Sequence, residues 1–261
     1  MINIEMTKCI GCGRCVNDCV RANIKLCKGK VIFGNDCILC GHCVAVCPME
    51  AFTIPEFDMS DVEPYDPNRF RLDPDNLLYI IKARRSIRQY AKRKIEAEKL
   101  QRIVQAGRYT ATGSNKQGCR FILVQDGLPE FKKIIWDGIL TAKQQSDVSS
   151  GSMLYSLLER VDSQEQDVDY LFRNAPAALF VAAESTVDAA MAAQNMELTA
   201  IAQGLGVMYN GYLAYVSDAN PVARQWLDVK EKPVQICMLA GYPSVSYERT
   251  APRKMADVRW R

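Results

Sequence analysis

The 261-residue sequence predicts a mixed helix-and-strand protein, α/β or α+β, in two unequal parts. Three observations predict it. Nine of the eleven cysteines fall before residue 50. An acidic, proline-bearing stretch follows at residues 56–75. Beyond it, segments with helical periodicity alternate with short apolar runs of strand length. Apolar residues make up 48% of the chain, enough to bury a real core and to argue against global disorder.

The net charge of +3 points to no particular partner, but its distribution marks the parts. Residues 1–55 carry six Lys/Arg and four Asp/Glu, residues 56–75 two and seven, and residues 76–261 twenty-five and nineteen. A small domain (1–55), an acidic linker (56–75) and a larger basic domain (76–261) are therefore expected. The N-terminal MINIEMTKCIGC lacks the apolar core of an export signal. No apolar run is long enough to cross a bilayer. The expectation is a cytoplasmic protein without membrane contact. In that reducing compartment clustered cysteines more often hold metal than pair as disulfides.

The cysteines form two runs, Cys9-x2-Cys12-x2-Cys15-x3-Cys19 and Cys37-x2-Cys40-x2-Cys43-x3-Cys47-Pro48. Structural zinc sites pair two close cysteines with two distant ligands, unlike these evenly stepped fours. The double run resembles the bacterial two-cluster ferredoxins, in which the fourth cysteine of each run ligates the other cluster. That resemblance implies two 4Fe–4S clusters, one on Cys9, Cys12, Cys15 and Cys47, the other on Cys37, Cys40, Cys43 and Cys19. Gly11, Gly13 and Gly41 suit loops that bend close to sulfide. Val20 stands where the second run has Pro48, a departure that touches no ligand. Cys27 lies outside both runs and reads as a spare thiol. His42, the only histidine, reads as a loop residue rather than a ligand.

Pro55, Pro64, Pro67 and Pro74, among many acidic residues, predict an extended surface tether. Asp73-Pro74 reads as an N-cap with proline at the first helical position. Leu77, Leu78, Ile80 and Ile81 would give that helix an apolar face. A second helix is expected over Ile95–Gly107 with Leu100, Ile103 and Val104 inward. Strands are expected at Arg120–Gln125, Ala177–Ala183 and Val234–Gly241, and a long alanine- and methionine-rich helix at 187–203. Residues 128–172 carry no strong motif. Cys119 and Cys237 read as small core side chains.

Seven Lys/Arg crowd residues 82–94, around Arg84-Arg85-Ser86-Ile87-Arg88-Gln89-Tyr90. Taken alone, the segment reads as a solvated basic face or a nucleic-acid patch. Nucleic acid is disfavoured, because no aromatic interleaving or binding module accompanies it. In context RRSIRQY resembles the N-terminal fingerprint of the nitroreductase family, FMN enzymes that are usually homodimers. Four further segments resemble that family in the same order. They are Thr110–Gln117, Phe172-Arg173-Asn174-Ala175-Pro176, Asp188–Gly206, and Gly241-Tyr242-Pro243 through Pro252-Arg253-Lys254. Ala111, Gly118 and Cys119 depart from the residues the family often has in its loop.

The two resemblances imply an α+β protein, a small ferredoxin-like domain followed by a nitroreductase-like three-layer domain. They assign Arg84, Arg85, Ser86 and Arg88 to the FMN phosphate and ring edge, where guanidinium forks suit a dianion. Arg253 and Lys254 close the phosphate site. The backbone of Asn210-Gly211 approaches the flavin N5. Thr112, Gly113 and Asn115 cover the ring from the second subunit, with Gln117 supporting their loop. In the family the segment holding Trp136, Met153, Tyr155 and Tyr170 shapes the substrate pocket; core or dimer packing is the plainer reading of each.

The implied activity is reduction of a small organic acceptor, such as a nitroaromatic, quinone or activated alkene. Its flavin would be fed by the two clusters from a low-potential donor such as ferredoxin. Protons would come from water, the flavin or a tyrosine. An NAD(P)H-dependent flavin reductase with accessory clusters, or a non-catalytic flavin and iron–sulfur electron carrier, are the alternatives.

Overall fold

The computed structural model describes residues 2–144, 153–162, 169–229 and 231–261. The chain forms two compact units, Met1–Leu72 with Thr112–Lys116, and Asp73–Ala111 with Gln117–Arg261.

The first unit is built on short elements. Strand β1 (Asn3–Ile4) leads to helix α1 (Arg14–Asn17), then to the hairpin β2 (Ile24–Cys27) and β3 (Lys30–Phe33). Helix α2 (His42–Val46) follows, and β4 (Phe52–Thr53) returns to pair antiparallel with β1. Ile24, Val31, Ala51 and Phe52 form a small core together with Cys15 and Cys43. The hairpin turns through Lys28 and Gly29, both at positive φ, as a tight two-residue turn requires. Gly11 must be glycine: its φ is +66°, and a Cβ there would lie 2.5 Å from the Gly29 carbonyl oxygen. His42 opens helix α2 instead of lying in a loop. Residues 56–72 are mostly exposed, with one short 3₁₀ turn at Met59–Asp61 capped by Asp58.

The second unit is a three-layer sandwich. Helices α3 (Pro74–Ala83) and α4 (Ala97–Arg108) precede strand β5 (Arg120–Val124). Helices α5 (Leu128–Gln144) and α6 (Met153–Asp162) occupy the segment without a motif, whose residues 145–152 and 163–168 lie outside the described residues. Strand β6 (Ala177–Ala182), helix α7 (Thr186–Ala202), strand β7 (Gly206–Tyr209), helices α8 (Gly211–Ala219) and α9 (Pro221–Trp226), and strand β8 (Val234–Gly241) complete the order. The sheet runs β5-β6-β8-β7, antiparallel throughout.

Every residue of β6 is buried, so its two faces pack into two cores, as side-chain alternation demands. Ala177, Leu179 and Val181 meet Ile103 of α4 and Ala193 and Met196 of α7. Ala178, Phe180 and Ala182 meet Phe131 and Ile135 of α5 and Leu213 of α8. The alanines of α7 allow close approach: Ala189, Ala192, Ala193 and Ala200 are buried. Gly107 of α4 serves the same packing, since a Cβ there would sit 2.7 Å from the Phe121 ring. Asp73 caps α3 by accepting from the Asn76 N–H at 2.7 Å, with Pro74 at the first helical position.

The apolar face of α3 is left uncovered: Leu78, Ile80 and Ile81 are exposed. One expectation is corrected. Cys237 is buried as expected, but Cys119 is only half-buried.

Candidate functional site

In the first unit, Gly13 and Gly41 stand at the N-caps of α1 and α2 with φ of 76° and 75°. These left-handed turns, natural to glycine, fold each cysteine run back on itself and bury Cys15 and Cys43 behind them. Cys9, Cys12, Cys15 and Cys47 line one cavity. Cys19, Cys37, Cys40 and Cys43 line another, with Cys15 also on its wall. The last cysteine of each run thus reaches the cavity of the other run.

Backbone N–H groups point at the sulfurs: Asn23 to Cys19 at 3.3 Å, Leu39 to Cys37 at 3.4 Å and Ala51 to Cys47 at 3.4 Å. Asn23 lines the second cavity and keeps a buried Nδ2 without a partner. Burial pushes the Cys43 thiol up to about 11 and raises that of Cys15. Such sulfurs become thiolate ligands only when a cation replaces the proton. Among the described residues no three His, Cys, Asp or Glu side chains converge on a point suited to a single ion. Cysteines spread in fours round a cavity instead fit a cuboidal iron–sulfur group, whose irons occupy separate corners.

In the second unit, the basic segment is pinned beside the sheet. The Ile87 N–H donates to the Val207 carbonyl at 3.0 Å, and Ala91 N–H to Tyr242 O at 2.8 Å. The Tyr90 hydroxyl donates to Ile87 O at 2.7 Å. Gly206 makes this approach possible, since a Cβ there would lie 2.3 Å from Ile87 Cγ1. Ile87 and Tyr90 are buried, while Arg88 remains exposed.

Arg88 lines a cavity of about 620 Å³ with Tyr209, Asn210, Gly211, Tyr170 and Arg173, a volume in the usual range for cofactor and small-molecule sites. Asn210 is buried and rigid. Its Nδ2 donates to Leu171 O at 2.6 Å, and its Oδ1 accepts from Leu213 N–H at 3.0 Å, capping α8. Gly211 opens that helix, whose free N–H groups favour negative charge. Burial, followed by the negative charge of Glu197, raises the Tyr209 phenol, so it keeps its proton at neutral pH.

The remaining candidate residues are placed as follows. Arg84 turns its Nε to the carboxylate of Glu197 at 2.8 Å. Arg85 keeps a buried Nη1 with no partner, the kind of orphan donor an anion would satisfy. Ser86 is half-buried between Arg85 and Ile87. Arg253 and Lys254 are exposed in the C-terminal segment, and Arg253 donates to Pro252 O at 3.3 Å. Thr112, Gly113 and Asn115 belong to the first unit, where Asn115 bonds the backbone of Ile38 and Leu39. Met153 and Tyr170 line the 620 Å³ cavity, whereas Trp136 packs against the core and Tyr155 is exposed.

Glu197, which holds Arg84, is a residue that the sequence reading did not single out. It is 1% exposed, held by Arg84 and by Gln194 Nε2 at 3.1 Å. Its signal was present: it stands at helical spacing from Ala193 and Ala200 on the buried face of α7, where an acid needs a partner. Ser156 and Tyr212, polar groups that do line the cavity, carried no such signal.

A cysteine-lined unit joined to a sandwich with a cationic, helix-capped cavity defines a redox protein. Residues 81–242 match the nitroreductase family and residues 30–53 the 4Fe-4S binding domain. The chain belongs to the nitroreductase family, with a ferredoxin-type domain at its N-terminal end. The ferredoxin of Methanothermococcus thermolithotrophicus is 37% identical over 59 residues, 21% of this chain and 98% of that protein. An FMN reductase (NADPH) of Bacillus subtilis is 29% identical over 143 residues, 52% of this chain. That alignment spans 54% of the Bacillus protein, about half its length. The solved nitroreductase with bound FMN from Bacteroides fragilis superposes with a TM-score of 0.58 at 25% identity, over 70% of this chain and 98% of that one.

Proposed function

We propose that the chain is an FMN-dependent oxidoreductase whose flavin draws electrons from two 4Fe–4S clusters and reduces a small organic acceptor. The observation that carries this reading is the presence, in one chain, of two four-cysteine cavities and a cationic cavity of cofactor size. When bound, FMN supplies hydride chemistry and the clusters supply single electrons; their fusion in one chain keeps the local concentration of donor high.

The chain's own residues have the following roles. Cys9, Cys12, Cys15 and Cys47 hold one cluster, and Cys19, Cys37, Cys40 and Cys43 the other. Arg85 and Ser86, with Arg253 and Lys254 from the C-terminal segment, receive the phosphate. Arg84 acts on that site mainly through its grip on Glu197. Arg88 sets positive charge at the ring edge, and the rigid Asn210-Gly211 corner meets the ring without a bulky side chain. Tyr209 carries the proton-bearing hydroxyl on the cavity wall. The proposed functional division is a cluster domain at 1–55, a linker at 56–75 and a flavin domain at 76–261, whereas the compact units divide after Leu72 and place Thr112–Lys116 with the first.

A two-fold homodimer completes the site in this reading, with Thr112 and Gly113 of the second copy over the ring. Support comes from apolar surface left on α3 and α7, where Leu78, Tyr79, Ile81, Val187 and Met191 are exposed. Patches of this kind mark association surfaces. Among the described residues no helix is long and apolar enough to cross a membrane.

The test is a Cys12→Ala/Cys40→Ala variant, purified anaerobically beside the wild type. The wild type should carry about eight iron and one FMN per chain. The variant should lose iron, keep FMN and its circular dichroism, and lose turnover driven by reduced ferredoxin. Full ferredoxin-driven turnover in the variant would refute the electron path. The name of the Bacillus relative, an FMN reductase (NADPH), favours a second reading, in which NADPH reduces the flavin directly. An unchanged NADPH-driven rate in the same variant is its signature.

A further inference from the structure

The segment Thr112–Lys116 belongs to the compact unit that carries the cysteine runs. Its backbone is unusual: Ser114, Asn115 and, just beyond, Gln117 hold φ of 51°, 54° and 48°. Left-handed backbone is disfavoured for a non-glycine residue, with asparagine the best tolerated. Such a run persists only where its surroundings hold it. The Asn115 side chain is engaged on both sides of one residue, its Nδ2 donating to Ile38 O at 3.2 Å and to Leu39 O at 2.9 Å.

Those two carbonyls lie between Cys37 and Cys40. Leu39 is itself left-handed, with φ of 51°, and its N–H donates to Cys37 Sγ at 3.4 Å. The Ile38 carbonyl and the Leu39 N–H are the two ends of one planar peptide group. A donor on the oxygen end draws electron density through the amide and makes its N–H a stronger donor at the other end. It also fixes the plane of the peptide, and with it the direction of the N–H.

We infer that Asn115 is a positioning residue for the site of Cys19, Cys37, Cys40 and Cys43, its carboxamide clamping and polarising the Ile38–Leu39 peptide that hydrogen-bonds the Cys37 sulfur. This rests on the reading above that the site holds a 4Fe–4S cluster. A hydrogen bond to a ligand sulfur disperses negative charge and so favours the form carrying the extra electron. Asn115 therefore raises the reduction potential of this cluster and leaves that of the Cys9, Cys12, Cys15 and Cys47 site alone, which provides an internal reference.

An anaerobic redox titration of the full chain, followed by electron paramagnetic resonance, tests it. Asn115→Gly removes the carboxamide and tolerates positive φ. Asn115→Asp keeps the shape but turns a donor into an acceptor facing two carbonyl oxygens. Both variants should lower the reduction equilibrium of one cluster three- to tenfold, about 30–60 mV for a one-electron couple, with the other cluster unmoved. Unchanged potentials, or equal displacement of both clusters, would overturn the assignment. Loss of the second cluster from Asn115→Gly with a normal potential in Asn115→Asp would reduce Asn115 to a structural brace and overturn it too. Wild-type protein with about four iron instead of eight would sink the cluster reading itself, and that count is made before any variant is compared.

Discussion

The Arg84–Glu197 pair is the sharpest test of how the cationic segment is held. Glu197 is almost fully buried, and its carboxylate accepts from Arg84 Nε at 2.8 Å and from Gln194 Nε2 at 3.1 Å. Arg84→Met removes the cation and strands the acid. Removing one partner of a buried pair costs about 3–5 kcal/mol. The Arg84 side chain is 24% exposed, so water reaches part of the pair and the lower end, about 3 kcal/mol, applies. At roughly 2–4 °C per kcal/mol for a unit of this size, Tm should fall by about 6–12 °C. The measurement is denaturant and thermal unfolding of FMN-free protein, because bound cofactor would add its own stabilisation. Trp136, Trp226 and Trp260, the chain's three tryptophans, all belong to the second unit, so their fluorescence reports that unit alone. In the double variant Arg84→Met/Glu197→Met no charge is stranded, and stability should return to within about 1 kcal/mol of wild type. A single-variant cost below about 0.5 kcal/mol, or a double variant no more stable than the single, would refute the reasoning.

Three other perturbations follow from the same geometry. Gly11→Ala sets a Cβ 2.5 Å from the Gly29 carbonyl oxygen at a φ of +66°; iron analysis should show about half the wild-type content, the loss falling on one of the two sites. Gly206→Ala drives a Cβ to 2.3 Å from Ile87 Cγ1. It should cost about 1–3 kcal/mol through overpacking and weaken FMN binding on titration, and adding Ile87→Ala should restore both. Glu96 is held down at about 2, first by the hydroxyl of Tyr242 and then by its own backbone N–H, with Arg93 contributing. A carboxyl whose folded value lies below its unfolded one contributes stability above the unfolded value, here near 4.5, and loses it as pH falls toward 2. Tyr242→Phe should therefore lower stability at neutral pH, and its difference from wild type should close as pH falls from 4.5 toward 2, read by denaturant unfolding at a series of pH values.

Sequence alone was enough where chemistry depends on spacing along the chain. The cysteine steps proposed two groups, and the fold lines two cavities with them, because three side chains on one tight loop are neighbours in space as well as in sequence. The helix at Pro74–Ala83 was legible from Asp73-Pro74, and β6 from its unbroken apolar run, because caps and periodicity are local. The cationic segment was not legible by composition, which left a solvated basic face or a nucleic-acid patch; only the resemblance of RRSIRQY to the nitroreductase fingerprint implied a phosphate site.

Tertiary structure decided what depends on distant partners. Arg84 and Arg85 are adjacent in sequence, yet one is committed to a carboxylate 113 positions away and the other keeps an orphan donor. Nothing in RRSIRQY separates them, because the difference lies in what α7 brings alongside. Leu78, Ile80 and Ile81 mark an apolar face on α3, and the fold leaves them exposed; periodicity gives a helix an apolar stripe but does not say what covers it. Asn115 sits in a loop whose sequence resembles a flavin-covering motif, while its side chain grips the backbone between Cys37 and Cys40. That contact spans more than 70 residues of chain. Its donor and acceptors are an ordinary carboxamide and two backbone carbonyls, groups that carry no pattern in sequence until folding brings them within hydrogen-bonding distance.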